Sequence, residues 1–100
     1  MRLENEFSTT RNLALNLAIH TKRGSNKRPI QIPSNSTPRQ LAETIVRAYG
    51  GNNPEDITEI VDEHGRNLAE IPFSNCTFNE LGIKDGETLD IQGDIIQGLR

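Results

Sequence analysis

The residues with reactive side chains are few: one cysteine, Cys76, and two histidines, His20 and His64, in a chain of 100. A thiol beside an imidazole could act as a nucleophile with its base, because the imidazole takes the thiol proton and leaves a thiolate. Nothing in the spacing of these three draws them into such a pair. His20 lies on the polar side of an alternating stretch, and His64 sits beside Asp62 and Glu63 in a turn-like segment. A structural zinc site takes about four Cys or His ligands, more than the chain supplies. Asp62 with Glu63, or Asp90 with Asp94, could attract a hard cation, but neither follows the spacing of an EF-hand loop. Solvated surface acids describe them better. Gly24, Gly50, Gly51, Gly65 and Gly86 fall where the chain must turn, and they form no phosphate-binding motif. The triplets Asn35-Ser-Thr37 and Asn75-Cys-Thr77 match a glycosylation acceptor, a match that matters only for a secreted chain. The expectation is therefore a protein that is not an enzyme and holds no metal or cofactor.

Charge offers more. Lys22, Arg23, Lys27 and Arg28 place four cations within seven residues. Such a cluster could contact phosphates, but no aromatic residue is interleaved to stack on bases. The chain is also acidic overall, with net charge −3. An acidic protein surface is the better target, since steering by charge needs no base-reading chemistry. Residues 1–50 carry eight basic and three acidic groups, net +5, whereas residues 51–100 carry three basic and eleven acidic groups, net −8. A dipolar surface of this kind permits head-to-tail self-association, though small polar domains also distribute charge unevenly without it.

These groups must be positioned by a small domain, since 100 residues suffice for one modest core. Residues 1–12 show neither periodicity nor turn chemistry and read as a mobile extension. Leu13, Leu15, Leu17 and Ile19 then alternate with smaller or polar residues, the pattern of a half-buried strand. Thr21 to Lys27 reads as a polar hairpin loop longer than a two-residue turn, leading to a second strand around Ile30 and Ile32, bracketed by Pro29 and Pro33. Thr37-Pro38-Arg39-Gln40 is a helix entrance with a capping box and proline at the first helical position. Leu41, Ile45 and Ala48 recur at helical spacing, supported by Ala42, Val46 and Tyr49, and Gly50-Gly51 ends the helix. Residues 57–62 form a third strand, Leu68 lies on a short fourth, and residues 69–76 are an irregular connection anchored by Ile71 and Phe73. A short apolar turn (Phe78, Leu81, Ile83) and a Lys84-Asp85-Gly86 corner lead to a final strand over residues 88–92.

The run Leu81-Gly82-Ile83, then Asp85-Gly86, then Thr88-Leu89-Asp90-Ile91, following a hairpin and a capped helix, resembles the closing segment of ubiquitin-like proteins. The resemblance covers residues 13–93 and implies an α+β, β-grasp fold. Its mixed sheet has four to five strands, with the first and last parallel at the centre and one helix packed across. An unrelated small α+β roll with the same element order is the alternative. The closing pattern is also similar to that of the small YukD-type proteins of bacterial type VII secretion, which leaves the subfamily open.

Members of the family that act as modifiers or sulfur carriers use a tail ending in Gly-Gly. Here Gly98 stands between Gln97 and Leu99, so that chemistry is not carried over; a modifier or sulfur carrier acting through its C-terminus remains the alternative reading. The apolar partner-binding patch of ubiquitin corresponds to the loop around Gly24–Asn26, then Val61, then Asp90 and Gln92, and only Val61 keeps apolar character. What replaces it is charged. The expected docking residues are Lys22, Arg23, Lys27 and Arg28 on the hairpin, with Val61, Asp62, Glu63, Asp90 and Gln92 near the sheet. The function expected is a non-catalytic interaction module, an adaptor or accessory subunit for an unidentified protein partner, with a nucleic-acid-contacting module as a further alternative. The expected organisation is an extension over 1–12, a domain over 13–93 and a tail over 94–100. One cysteine, no secretory signal and no apolar run of about 18–20 residues point to a cytoplasmic protein without a membrane span.

Overall fold

The computed structural model describes residues 11–21 and 23–93. Alternation makes β1 (Asn12–Thr21) the centre of the molecule: Leu13, Leu15, Leu17 and Ile19 all enter the core from one side of the strand. It pairs antiparallel with β2 (Gly24–Pro33) and parallel with β4 (Thr88–Gly93), and β4 pairs antiparallel with β3 (Ile57–Val61). The sheet is mixed, in the order β2-β1-β4-β3, with the parallel first and last strands in the middle. This is the arrangement that the resemblance implies.

The hairpin differs from the expected long loop. Thr21 pairs with Gly24, which leaves no room for a long loop, and β2 begins at Gly24 rather than near Ile30. Residues 25–29 lack apolar alternation, yet backbone pairing with β1 holds them as strand. Residues 1–10, Lys22 and residues 94–100 lie outside the described residues, so the predicted extension is described only from Arg11. Asn12 already belongs to β1.

One helix, α1 (Pro38–Ala48), crosses the sheet and buries Leu41, Ala42, Ile45 and Val46. Its entrance is the predicted capping box: the Gln40 amide donates to Thr37 Oγ1 at 3.2 Å, and the Thr37 amide donates to Gln40 Oε1 at 3.0 Å. Its exit is a Schellman closure. The Gly51 amide donates to the Val46 carbonyl at 2.9 Å and the Gly50 amide to Arg47 at 3.1 Å, while Gly50 adopts a φ of +86° that side chains disfavour.

The long segment between β3 and β4 is mostly turns. The predicted fourth strand is a single bridge, Val61 to Asn67. Asn67 closes the outer edge of β3 with its side chain: Oδ1 accepts from the Ile60 amide at 3.0 Å, and Nδ2 donates to the Thr58 carbonyl at 3.2 Å. Leu68 is fully buried as expected, and Phe73 packs against the core, but Ile71 is 79% exposed and anchors nothing. A second capping box holds the apolar turn, with the Thr77 amide on Glu80 Oε1 at 2.8 Å and the Glu80 amide on Thr77 Oγ1 at 3.0 Å. The Lys84–Gly86 corner latches onto β1, because Asp85 Oδ1 accepts from the Ala14 amide at 2.8 Å and the Gly86 amide donates to the Ala14 carbonyl at 2.7 Å.

Candidate protein-docking surface

Since α1 covers one face of the sheet, the residues between the core positions project from the other. The registers place Lys27 opposite Ala18, Ala18 beside Asp90, and Asp90 opposite Val61. Those four form one row across all four strands, in the order β2-β1-β4-β3. With strands about 4.8 Å apart, Lys27 and Asp90 sit roughly 10 Å apart with Ala18 between them. Gln92 and Glu59 pair in a neighbouring row, and His20 Nε2 lies 3.1 Å from Asp90 Oδ1. On this face Lys27, Asp90 and Glu59 are exposed, Val61, Gln92 and His20 are half-buried, and Ala18 is buried between its longer neighbours.

The structure thus brings Lys27, Val61, Asp90 and Gln92 together and separates the rest of the expected set. Strand alternation sends Lys27 and Arg28 to opposite faces, because Lys27 pairs with Ala18 and Arg28 with core-facing Leu17. Arg28 instead borders a hollow beside Ile45 and Tyr49, on the helix side. Arg23 is exposed at the hairpin corner, and Lys22 lies outside the described residues.

Asp62 is a correction. It is only 4% exposed, so it cannot offer its charge to a partner. Its Oδ1 accepts from the amides of His64 at 3.0 Å and Arg66 at 2.9 Å, and its Oδ2 accepts from Arg66 Nε at 2.7 Å. Burial alone would raise the pKa of this carboxyl; the Arg66 amide, the Arg66 guanidinium and the His64 amide together outweigh it and hold the group below its ordinary value. Arg66 also donates to the Leu81 carbonyl at 2.8 Å and lies 5.8 Å from the Phe73 ring centre. Asp62 therefore organises a turn. Glu63 is exposed but engaged, its Oε2 accepting from the Thr88 amide at 2.8 Å at the start of β4.

The reactive residues fall on three separate elements. His20 is on the open sheet face, His64 is exposed in the turn beside Asp62, and the half-buried Cys76 thiol donates to the Pro72 carbonyl at 3.5 Å. Among the described residues, no group of three or more His, Cys, Asp or Glu is placed to hold a metal ion. No helix is long and apolar enough to cross a membrane among those residues.

Two further residues of this face, His20 and Ala18, were absent from the expected docking set. The signal was present: both occupy even-numbered positions in a strand whose odd-numbered positions are apolar.

No protein-family model matches the chain, and no curated protein matches it. Solved structures do. A ubiquitin-like domain from Arabidopsis thaliana superposes with a TM-score of 0.65 at 14% identity, covering 87% of this chain and 82% of that one. Caldiarchaeum subterraneum ubiquitin gives 0.65 at 14% identity, covering 83% and 94%. The C-terminal ubiquitin-like domain of mouse tubulin-specific chaperone e gives 0.58 at 14%, covering 86% and 92%. With the central parallel strands, the crossing helix and these matches together, the chain has the ubiquitin-like β-grasp fold.

Proposed function

We propose that this domain is a non-catalytic interaction module, an adaptor or accessory subunit that binds a protein partner through the open face of its sheet. The observation that carries the reading is the row Lys27–Ala18–Asp90–Val61, in which an exposed cation and an exposed carboxylate flank Ala18, itself buried between its neighbours. A partner with the reverse arrangement of charge fits it, and the small side chain of Ala18 permits close approach between the charged positions. A polyanion fits less well, because Asp90 and Glu59 stand on the same face as Lys27 and the hairpin cations diverge. One cysteine, Cys76, with no disulfide partner suits a reducing cytoplasm.

The test is affinity capture from native extract with the tagged full chain, beside Lys27→Glu and Asp90→Arg variants and an Arg39→Glu control on the helix. A discrete partner that is retained by the control and lost by both sheet variants supports the reading. Retention by all of them removes the sheet face as the docking surface. A product that survives denaturation and contains this chain linked through its C-terminus replaces the adaptor reading with a modifier.

A further inference from the structure

The charges on the open face are placed symmetrically about one strand. Lys27 on β2 and Asp90 on β4 each lie one strand away from Ala18 on β1, and both are exposed. One strand spacing is about 4.8 Å, so the cation and the carboxylate stand at equal distances on either side of β1. Ala18, buried between its longer neighbours, raises nothing between them. The row toward the start of β1 repeats this plan without charge, since Pro29 on β2 and Thr88 on β4 flank Asn16. In the row on the other side, Ser25 lies opposite His20, and Gln92 follows Asp90 on the same face of β4.

A half-turn about β1 exchanges the two flanks. Let a second copy lie face to face on the first, with a two-fold axis running along β1 midway between the sheets. Lys27 of each copy then meets Asp90 of the other, and the symmetry makes both ion pairs at once. Pro29 meets Thr88, Ser25 meets Gln92, and Asn16 meets its own counterpart. In those three rows each formal charge faces its opposite. Stacked sheets lie about 10 Å apart, a gap that a lysine and an aspartate side chain bridge together. The other two-fold that keeps the sheets face to face runs across the strands. It sets Lys27 on Lys27 and Asp90 on Asp90, and repulsion disfavours it.

We propose that the occupant of the open face is a second copy of this chain, in a two-fold dimer centred on β1 with reciprocal Lys27–Asp90 pairs. The inference rests on the docking role given to that face above and names its partner. It differs from head-to-tail association, because a two-fold contact closes at two chains whereas a head-to-tail contact runs on. The overlap spans three strands, about 10 Å wide and about 20 Å long from Ala14 to His20. That size belongs to weak, transient interfaces, so the dimer forms at high concentration or where the chain is locally enriched.

The experiment is sedimentation equilibrium of the full chain from micromolar to millimolar concentration at low salt, with 15N NMR spectra across the same dilution series. The expected mass rises from one chain toward two and stops there, with shifts centred on Asn16, Ala18, Lys27 and Asp90, and added salt reverses it. Lys27→Glu and Asp90→Arg should each weaken association roughly tenfold, because the symmetry applies each change twice. An equimolar mixture of the two variants should associate again, as should a chain carrying both changes. Misfolded variants would not recover on mixing. A mass that stays at one chain overturns the dimer, while the capture experiment above still decides whether a different protein takes the face. A mass that climbs past two chains overturns it in favour of head-to-tail contacts. A mixture of variants that stays monomeric removes the reciprocal pairs. Association with shifts confined to α1 overturns the inference and counts against the open face itself.

Discussion

Arg66 is the residue that makes Asp62 tolerable inside the protein. Four positions along the chain, it supplies both a backbone amide at 2.9 Å and a guanidinium nitrogen at 2.7 Å to the same carboxylate. Substituting Asp62→Ala removes the acceptor for those donors and for the His64 amide, leaving the partly buried guanidinium without its counter-charge. Loss of one partner from a buried pair costs about 3–5 kcal/mol. Urea denaturation should show a drop of about 3 kcal/mol, and a change under 1 kcal/mol would mean that the turn does not depend on this contact.

The same carboxyl predicts an acid limb of stability. Its pKa is depressed in the folded state, so the unfolded chain takes up the proton first as pH falls. The contribution is complete above the ordinary value of about 3.9 and is lost as pH drops through the lower folded value. Stability measured between pH 5 and pH 2 should fall less steeply in Asp62→Asn than in the parent chain. Parallel curves would assign the acid sensitivity to other groups.

Gly93 lies tight against the backbone of Asp56 and Ile57, where β3 begins. A Cβ there would collide with the Asp56 carbonyl oxygen and lie 2.8 Å from the Ile57 Cα, both backbone atoms that cannot swing aside. Gly93→Ala should cost about 1–3 kcal/mol, lowering Tm by about 4–8 °C for each kcal/mol. An unchanged melting curve would show that the backbone around Asp56 and Ile57 gives way freely.

Asn67 acts as a substitute strand for the outer edge of β3. Asn67→Ala leaves the Ile60 amide without its acceptor, next to a fully buried side chain. The expected loss is about 1–3 kcal/mol, with faster hydrogen exchange at Ile60 and Ala69, the two amides bound to Oδ1. Unaltered exchange at both amides would show that the bridge is held by Leu68 instead.

Most of the architecture was legible because it rests on local patterns. The odd-numbered apolar residues of β1, the Thr37–Gln40 box and the Gly50 exit each have a mechanism visible in a few residues. The first half of β2 was not legible, since Ser25 to Pro29 owe their strand geometry to hydrogen bonds with β1 and bury little. That omission also misplaced Arg28: a loop would have kept it with Lys27, whereas a strand alternates them. Asp62 resembled a solvated acid because its neighbours Glu63 and His64 are exposed. Its burial depends on Arg66 and on peptide groups that composition does not reveal. The Thr77–Glu80 box, by contrast, was readable from its spacing.

The pairing of β1 with β4 has a consequence for biosynthesis. The Ala14–Asp85 contact joins residues 71 positions apart, and the strands flanking it are the first and last of the sheet. Closing so long a loop costs entropy before any packing is gained, and non-local pairing of this kind slows folding. A nascent chain that has left the ribosome only as far as Gly86 still lacks Leu89 and Ile91, both fully buried at the centre of the core. Its hairpin and helix are then left with an uncovered apolar face. The sheet cannot close until the final strand takes its place between β1 and β3.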